Sequence, residues 1–107
     1  MNFKINDKNY KSAPFDFNLM CAFEELGVDV SQMDSKPMIV FRAYLAICGD
    51  MSIVEAGNEL NKHICGGNDL SGITKAFLSE MKKSDFFQNM TTEQKMIVKS
   101  DATEEEN

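Results

Sequence analysis

Apolar and polar residues alternate at the start of the chain, with Phe3 and Ile5 on one face. A period of two is typical of an extended strand. Residues 6–9, with the sequence Asn-Asp-Lys-Asn, are typical of a turn because Asn and Asp tolerate left-handed backbone. Tyr10 then begins a returning strand that ends before Pro14. The pattern predicts a β-hairpin, which must pack on the rest of the fold because a lone hairpin is marginally stable.

The spacing of apolar residues changes to three and four after Pro14, which predicts a first helix through about Leu26. Asp16 is its expected N-cap, since a carboxylate can accept hydrogen bonds from the first backbone N–H groups. Gly27 is expected to end the helix in a left-handed conformation. A connector over residues 28–34 follows.

The second predicted helix begins after Ser35, its expected cap, and runs through Cys48. Pro37 is tolerated in the first turn because N–H groups there have no intrahelical partner. The helix is apolar nearly all round, and Arg42 is its one obvious solvent-facing position. Such a helix must be surrounded by other elements, so we expect it at the centre of the domain.

Two more helices are predicted further along the chain. Ser52 and Glu55 match a capping box at the start of the third, which is expected to stop at the two glycines 66–67. Asn68 or Asp69 is expected to cap the fourth. The residues expected to face the core are Ile53, Gly57, Leu60 and Ile64 on the third helix, and Leu70, Ile73, Phe77 and Met81 on the fourth.

The predicted fold class is therefore mainly α, a small bundle of about four main helices with a short N-terminal β-hairpin. We assign residues 1–90 to this domain. Residues 91–107 are expected to form a weakly structured to disordered acidic segment, with one more helix over 91–99 as an open alternative.

The composition is consistent with one globular domain and argues against some classes of function. The chain has 107 residues, 43% of them hydrophobic, and a net charge of −6. An acidic balance argues against a general nucleic-acid or anionic-membrane binder, because Lys and Arg make the phosphate contacts. No secretory signal is visible, and the longest apolar run, 38–48, is interrupted by Arg42 and too short to span a bilayer. We therefore expect a cytoplasmic protein.

Catalytic and metal-binding patterns are missing from the sequence. His63 is the only histidine, and we expect it to be half-exposed near a helix end. The cysteines Cys21, Cys48 and Cys65 match no metal-ligand spacing and are expected to be reduced, buried thiols. We predict that the protein is not an enzyme, with no catalytic, cofactor-binding or metal-binding residue and no cofactor.

Two features suggest a protein-binding surface. The chain contains eight Met, and flexible thioether side chains suit surfaces that fit several apolar partners, although they also fill cores. Phe86 and Phe87 are adjacent and cannot both point inward from one helical turn. We predict a partner-binding surface of Met81, Phe86, Phe87 and Met90.

The order of the pieces resembles the tail assembly chaperones of long-tailed phages and prophages of Gram-positive bacteria, in their short, non-frameshifted form. The resemblance covers roughly residues 2–90 and is carried by order and spacing. Its segments are 3–10 (FKINDKNY), 15–18 (FDFN), 24–27 (EELG), 56–60 (AGNEL), 66–70 (GGNDL) and 84–87 (SDFF).

The resemblance implies a non-catalytic, mainly helical chaperone that binds and solubilises the tape measure protein and helps to recruit tail tube subunits. It places the protein in the cytoplasm of the bacterial host and not in the mature virion. Its expected partners are the tape measure protein and the tail tube protein, with self-association left open, and neither nucleic acid nor membrane. The alternative is a small cytosolic acidic helical adaptor or regulator that binds one folded protein partner.

Overall fold

An N-terminal β-hairpin precedes four α-helices in residues 1–86 and 88–89, the part of the chain that our computed structural model describes. The predicted mainly α fold with an N-terminal hairpin is confirmed. In chain order the elements are β1 (Asn2–Ile5), β2 (Lys8–Lys11), α1 (Phe17–Glu25), a 3-10 turn (Val30–Gln32), α2 (Pro37–Gly49), α3 (Ile53–Cys65) and α4 (Ser71–Lys83). The predictions for residues 91–107 and for a domain boundary at residue 90 lie outside the described residues.

The hairpin has a two-residue turn. Asn6 and Asp7 have φ angles of 53° and 66°, the left-handed pair that a tight turn between twisted strands requires. β1 and β2 are antiparallel, with Phe3 opposite Tyr10 and Ile5 opposite Lys8. The predicted hairpin is confirmed, but its turn is shorter than the four residues expected. Asn and Asp supply both left-handed positions, so Lys8 already belongs to β2.

Helix α2 lies at the centre of the fold, as predicted. Its Tyr44 is fully buried, and the phenol O–H donates to the backbone carbonyl of Ala13 (2.7 Å). The ring contacts aromatic side chains from four different segments, with centroid separations of 6.4 Å to Phe3, 6.2 Å to Phe15, 6.4 Å to Phe23 and 5.1 Å to Phe77. One side chain therefore joins the hairpin, the following loop, α1 and α4.

The first turn of α2 departs from the prediction of a fully surrounded helix. Met38 is 73% exposed and Ile39 is 40% exposed, whereas Val40 and Phe41 are buried. On the side that carries Met38 and Ile39, this turn faces α3 and Leu70, the residue before α4, across a groove. The surrounding elements thus leave part of the apolar surface of α2 uncovered.

Two helix boundaries follow the predicted capping chemistry. The Asp16 carboxylate accepts from the Leu19 backbone N–H (2.8 Å), and Gly27 after the helix has φ 74°. At the start of α3, Glu55 N–H donates to Ser52 Oγ (3.1 Å) while Ser52 N–H donates to the Glu55 carboxylate (3.0 Å). These local signals are confirmed.

Two other predicted caps are wrong. Lys36 holds the N-cap position of α2 without a side-chain hydrogen bond, and Ser35 Oγ donates instead to the carbonyl of Gln32 (3.4 Å). Pro37, as the first helical residue, has no N–H to satisfy, which removes one reason for a cap. Leu70 holds the N-cap position of α4, and the Asp69 carboxylate one residue earlier accepts from Ser71 Oγ (2.7 Å) and N–H (3.0 Å).

The inward face of α3 differs from the predicted stripe. Its buried residues are Ala56, Leu60 and His63, whereas Ile64 is 47% exposed. The cause is tertiary, because hydrogen bonds from His63 to the hairpin and to the loop before α4 turn that side of the helix inward. On α4, the core contains Ile73 and Phe77 as predicted, together with Ala76 and Glu80, while Leu70 and Met81 are partly buried against it.

No single helix in the described part of the chain is long and apolar enough to cross a membrane. Only α2 and α3 taken together meet that requirement by length and composition, and the chain bends by 108° between them.

Candidate partner-binding surface

An apolar groove of about 260 Å³ lies between α2 and α3. Its rim is formed by three exposed side chains, Met38 and Ile39 from α2 and Ile64 from α3. Phe41 and Leu60, which are 6% and 9% exposed, lie at its base. Single exposed apolar side chains are ordinary on protein surfaces, but grouped ones around a concave site are typical of a binding surface. The groove is therefore a candidate binding site.

One charged side chain, Arg42, lines this groove in the described chain. A Cβ atom added to Gly57 would lie 3.4 Å from Arg42 Cδ, so the aliphatic part of the arginine lies close to the α3 backbone at that glycine. Arg42 is exposed, and no carboxylate among the described residues lies within ion-pair distance of it. The groove therefore combines apolar walls with one unpaired guanidinium.

The sequence-predicted surface is placed only in part by the structure. Met81 is partly buried against the core. Phe86 is half-buried, and its ring meets that of Phe17 edge to face, with a centroid separation of 6.1 Å. Phe17 is 67% exposed, so the structure adds the start of α1 to this surface. Two further residues of the prediction, Phe87 and Met90, lie outside the described residues.

The groove itself was missed by the sequence reasoning, which assigned Met38, Ile39 and Ile64 to the core. One feature of the sequence could have indicated an uncovered surface on α2. A helix that is apolar all round needs neighbours on every side, and three further short helices and a hairpin are few for that. The sequence does not indicate which turn of α2 lacks a neighbour, because that depends on the angle between α2 and α3.

His63 is a structural residue and not the half-exposed side chain that was predicted. It is 8% exposed; the Asn6 backbone N–H donates to its Nδ1 (2.9 Å), and its Nε2–H donates to the Asp69 carbonyl (2.7 Å). We assign the proton to Nε2 because Nδ1 acts as an acceptor. The ring thereby joins the hairpin turn to the α3–α4 loop, and both of its nitrogens are engaged.

A buried carboxylate holds the other side of the hairpin. Glu80 of α4 is 7% exposed and accepts from Ser12 Oγ. The α-amino group of Met1 lies 3.9 Å from the carboxylate, and Lys83 Nζ lies 3.5 Å from it. Buried carboxylates need such partners, because an unpaired charge in the interior costs several kcal/mol. Glu80 therefore anchors the N-terminal strand to the last described helix.

A second pocket, of about 220 Å³, is polar and lies beside the hairpin turn. At its edge, Glu59 accepts from Asn6 Nδ2 (3.1 Å) and pairs with Lys8 Nζ (3.3 Å). The Asn6 hydrogen bond, followed by Lys8, lowers the pKa of Glu59 below its ordinary value. Because these charges already satisfy one another, we assign this pocket no ligand. The described residues hold no group of three His, Cys, Asp or Glu side chains that could bind a metal ion.

The cysteines are free thiols, but the prediction that all three are buried is wrong. Cys21 and Cys48 are half-buried, and Cys65 is exposed because it is the last residue of α3 and lies outside the inward face. Burial raises the pKa of the Cys48 thiol to about 11. Cys65 is therefore the most accessible of the three thiols.

Comparison with known proteins adds no further assignment. No protein-family model, no curated protein and no solved structure matches this chain.

Proposed function

We propose that this protein is a non-catalytic phage tail assembly chaperone that binds and solubilises the tape measure protein and helps to recruit tail tube subunits. The observation that supports the proposal is the apolar groove bounded by Met38, Ile39 and Ile64. A groove between two helices suits an amphipathic helix, whose apolar residues at intervals of three and four enter it. A tape measure protein is a long helical rod with many such segments.

The composition of the groove rim suits a repeated but inexact ligand. Met38 is the most exposed of its residues, and its unbranched thioether side chain adapts to apolar surfaces of different shape. Covering a fully exposed aliphatic side chain contributes about 2 kcal/mol, and because the rim residues are 40–73% exposed, each contributes about 1 kcal/mol when a helix covers it. A gain of this size favours moderate affinity. Moderate affinity is appropriate for a chaperone that must leave before the tail is complete.

Net charge and a second surface also support the proposal. A charge of −6 adds solubility to any complex with an apolar rod. The edge-to-face pair of Phe17 and Phe86 belongs to α1 and to the segment after α4, so it is separate from the groove. We assign this pair, with Met81, Phe87 and Met90 from the sequence prediction, to a second contact with the tape measure protein.

Co-expression with a tape measure protein tests the function. Without this protein the rod is expected to aggregate, and with it the rod is expected to stay soluble and to co-elute on size exclusion. The double variant Met38→Gln/Ile64→Gln is expected to lose the complex while keeping the melting temperature within a few degrees, since both residues are largely exposed.

Val54→Gln is the matched control, because Val54 is 72% exposed on the same helix as Ile64 but does not line the groove. It is expected to bind like the unaltered chain. The proposal is contradicted if the rod is equally soluble with and without this protein and no complex forms on size exclusion. The alternative, an adaptor or regulator that binds one folded partner, then takes its place.

A further inference from the structure

We propose that the α2–α3 groove selects an amphipathic helix that carries a carboxylate beside its apolar stripe, and that Arg42 pairs with this carboxylate. The identification of that helix with a segment of the tape measure protein rests on the proposed function above. The selection itself rests on the groove.

The shape of the groove indicates a helical occupant. The chain turns by 108° between α2 and α3, so the two helices diverge from the loop that joins them. The groove therefore opens from Arg42 and Gly57, nearer the loop, toward Met38 and Ile64, which lie further along the two helices. Leu70, the residue before α4, adds one more apolar side chain to its lining. A third helix laid into this opening completes a three-helix contact and covers the exposed rim.

The charge of the groove indicates which helix fits. Arg42 is its one charged lining residue in the described chain, and it stands without a carboxylate partner in a protein that has 17 acidic and 11 basic residues. No carboxylate lines the groove among the described residues, so a carboxylate of the partner can pair with Arg42 there. Because a guanidinium binds a carboxylate through two parallel N–H groups, Arg42 also sets the position of the helix along the groove.

The same arrangement argues against a second copy of this chain as the occupant. In a two-fold dimer the same surface is used by both subunits, so groove-to-groove pairing brings two Arg42 side chains toward each other. Among the described residues, no Asp or Glu lines the groove, so no carboxylate could lie between the two guanidinium groups. Like charges brought together at an interface oppose its formation. The groove is therefore suited to a partner of different sequence.

Synthetic amphipathic peptides test the proposal on the full chain. Peptides of about 20 residues, which form a helix about 30 Å long, would carry one Glu scanned along the edge of the apolar stripe. Matched peptides would have Gln or Lys in its place. By fluorescence anisotropy we expect the best Glu peptide to bind about tenfold more tightly than its Gln counterpart, and the Lys peptide more weakly still.

Charge reversal separates pairing from packing. With Arg42→Glu, the order of affinity is expected to invert, so that the Lys peptide becomes the tightest, while the Val54→Gln control keeps the original order. Equal affinity of the three peptides, or an equal loss of all three in Arg42→Glu, overturns the proposal. So does the absence of binding at about 1 mM peptide, or a dimer in sedimentation that Ile64→Gln dissociates.

The two proposals fail in different ways. If the tape measure rod is soluble without this protein while the peptides keep their charge preference, the phage function is wrong and the selectivity of the groove stands. If the rod depends on this protein but the peptides show no charge preference, the function stands and the role of Arg42 is wrong.

Discussion

Replacing His63 by alanine tests whether its ring is what fastens the hairpin to the helices. The change removes the acceptor of the Asn6 N–H and the donor to the Asp69 carbonyl. Asp69 is exposed and its carbonyl can bind water instead, whereas the Asn6 N–H is half-buried. A lost acceptor for such a donor costs about 1–2 kcal/mol, and the loss of a buried ring adds a similar amount.

The expected total is about 3 kcal/mol, which lowers the melting temperature of a domain of this size by about 13 °C. Circular dichroism during heating measures this shift. Cys65→Ala, at an exposed position near the same end of α3, is the control and is expected to change the free energy of unfolding by less than about 0.5 kcal/mol.

Hydrogen exchange at the Asn6 amide supplies a local readout. In the unaltered chain this amide is hydrogen-bonded to His63 Nδ1, so it should exchange slowly, and in His63→Ala it should exchange faster than the other amides of the hairpin. A variant with an unchanged melting temperature and a still protected Asn6 amide would show that packing on α2 and α4 holds the hairpin without the imidazole.

Two further predictions concern Tyr44 and the thiols. Tyr44→Phe keeps the ring contacts but loses the hydrogen bond to Ala13, so urea denaturation should show that the free energy of unfolding falls by about 1 kcal/mol. Tyr44→Leu also loses the ring contacts, so the free energy of unfolding should fall by at least about 3 kcal/mol. Equal losses in the two variants would contradict the role given to the ring contacts. A thiol reagent at pH 8 should label exposed Cys65 well before Cys48, because burial raises the pKa of Cys48 to about 11. Peptide mass mapping after a short exposure to the reagent measures this order. Equal labelling of the two cysteines would contradict the burial of Cys48.

Features set by neighbouring residues in sequence were predictable. The cap at Asp16 and the reciprocal pair of Ser52 and Glu55 depend on side chains within three positions of the backbone they satisfy. Asn6 and Asp7 are residue types that tolerate the left-handed backbone of the turn. Because such interactions involve neighbouring residues, the sequence pattern predicts them, although it also offered Ser35 and Asn68 or Asp69, which do not hold the N-cap positions of α2 and α4. The same reasoning located α2 at the centre, since no other helix is as apolar.

Features set by the orientation of one element against another were not predictable. The rotation of α3 depends on His63 meeting a hairpin that lies 57 residues away in sequence, and that rotation moves Ile64 from the expected core to the groove rim. Likewise, the exposure of Met38 follows from the divergence of α2 and α3. The candidate site was therefore missed because its residues have core composition and only the packing angle exposes them.

The attachment of the hairpin to α4 has a consequence for how the protein is made. Ser12 bonds to Glu80, and the Phe15 carbonyl accepts from Ser84 Oγ, so the first strands meet a helix that the ribosome adds almost 70 residues later. Until that helix emerges, Phe3 and Ile5 of the nascent chain lack much of their final cover. Contacts of such long sequence separation slow folding, and a chain paused before α4 presents an unpacked apolar strand to the cytosolic chaperones and proteases of the cell that makes it.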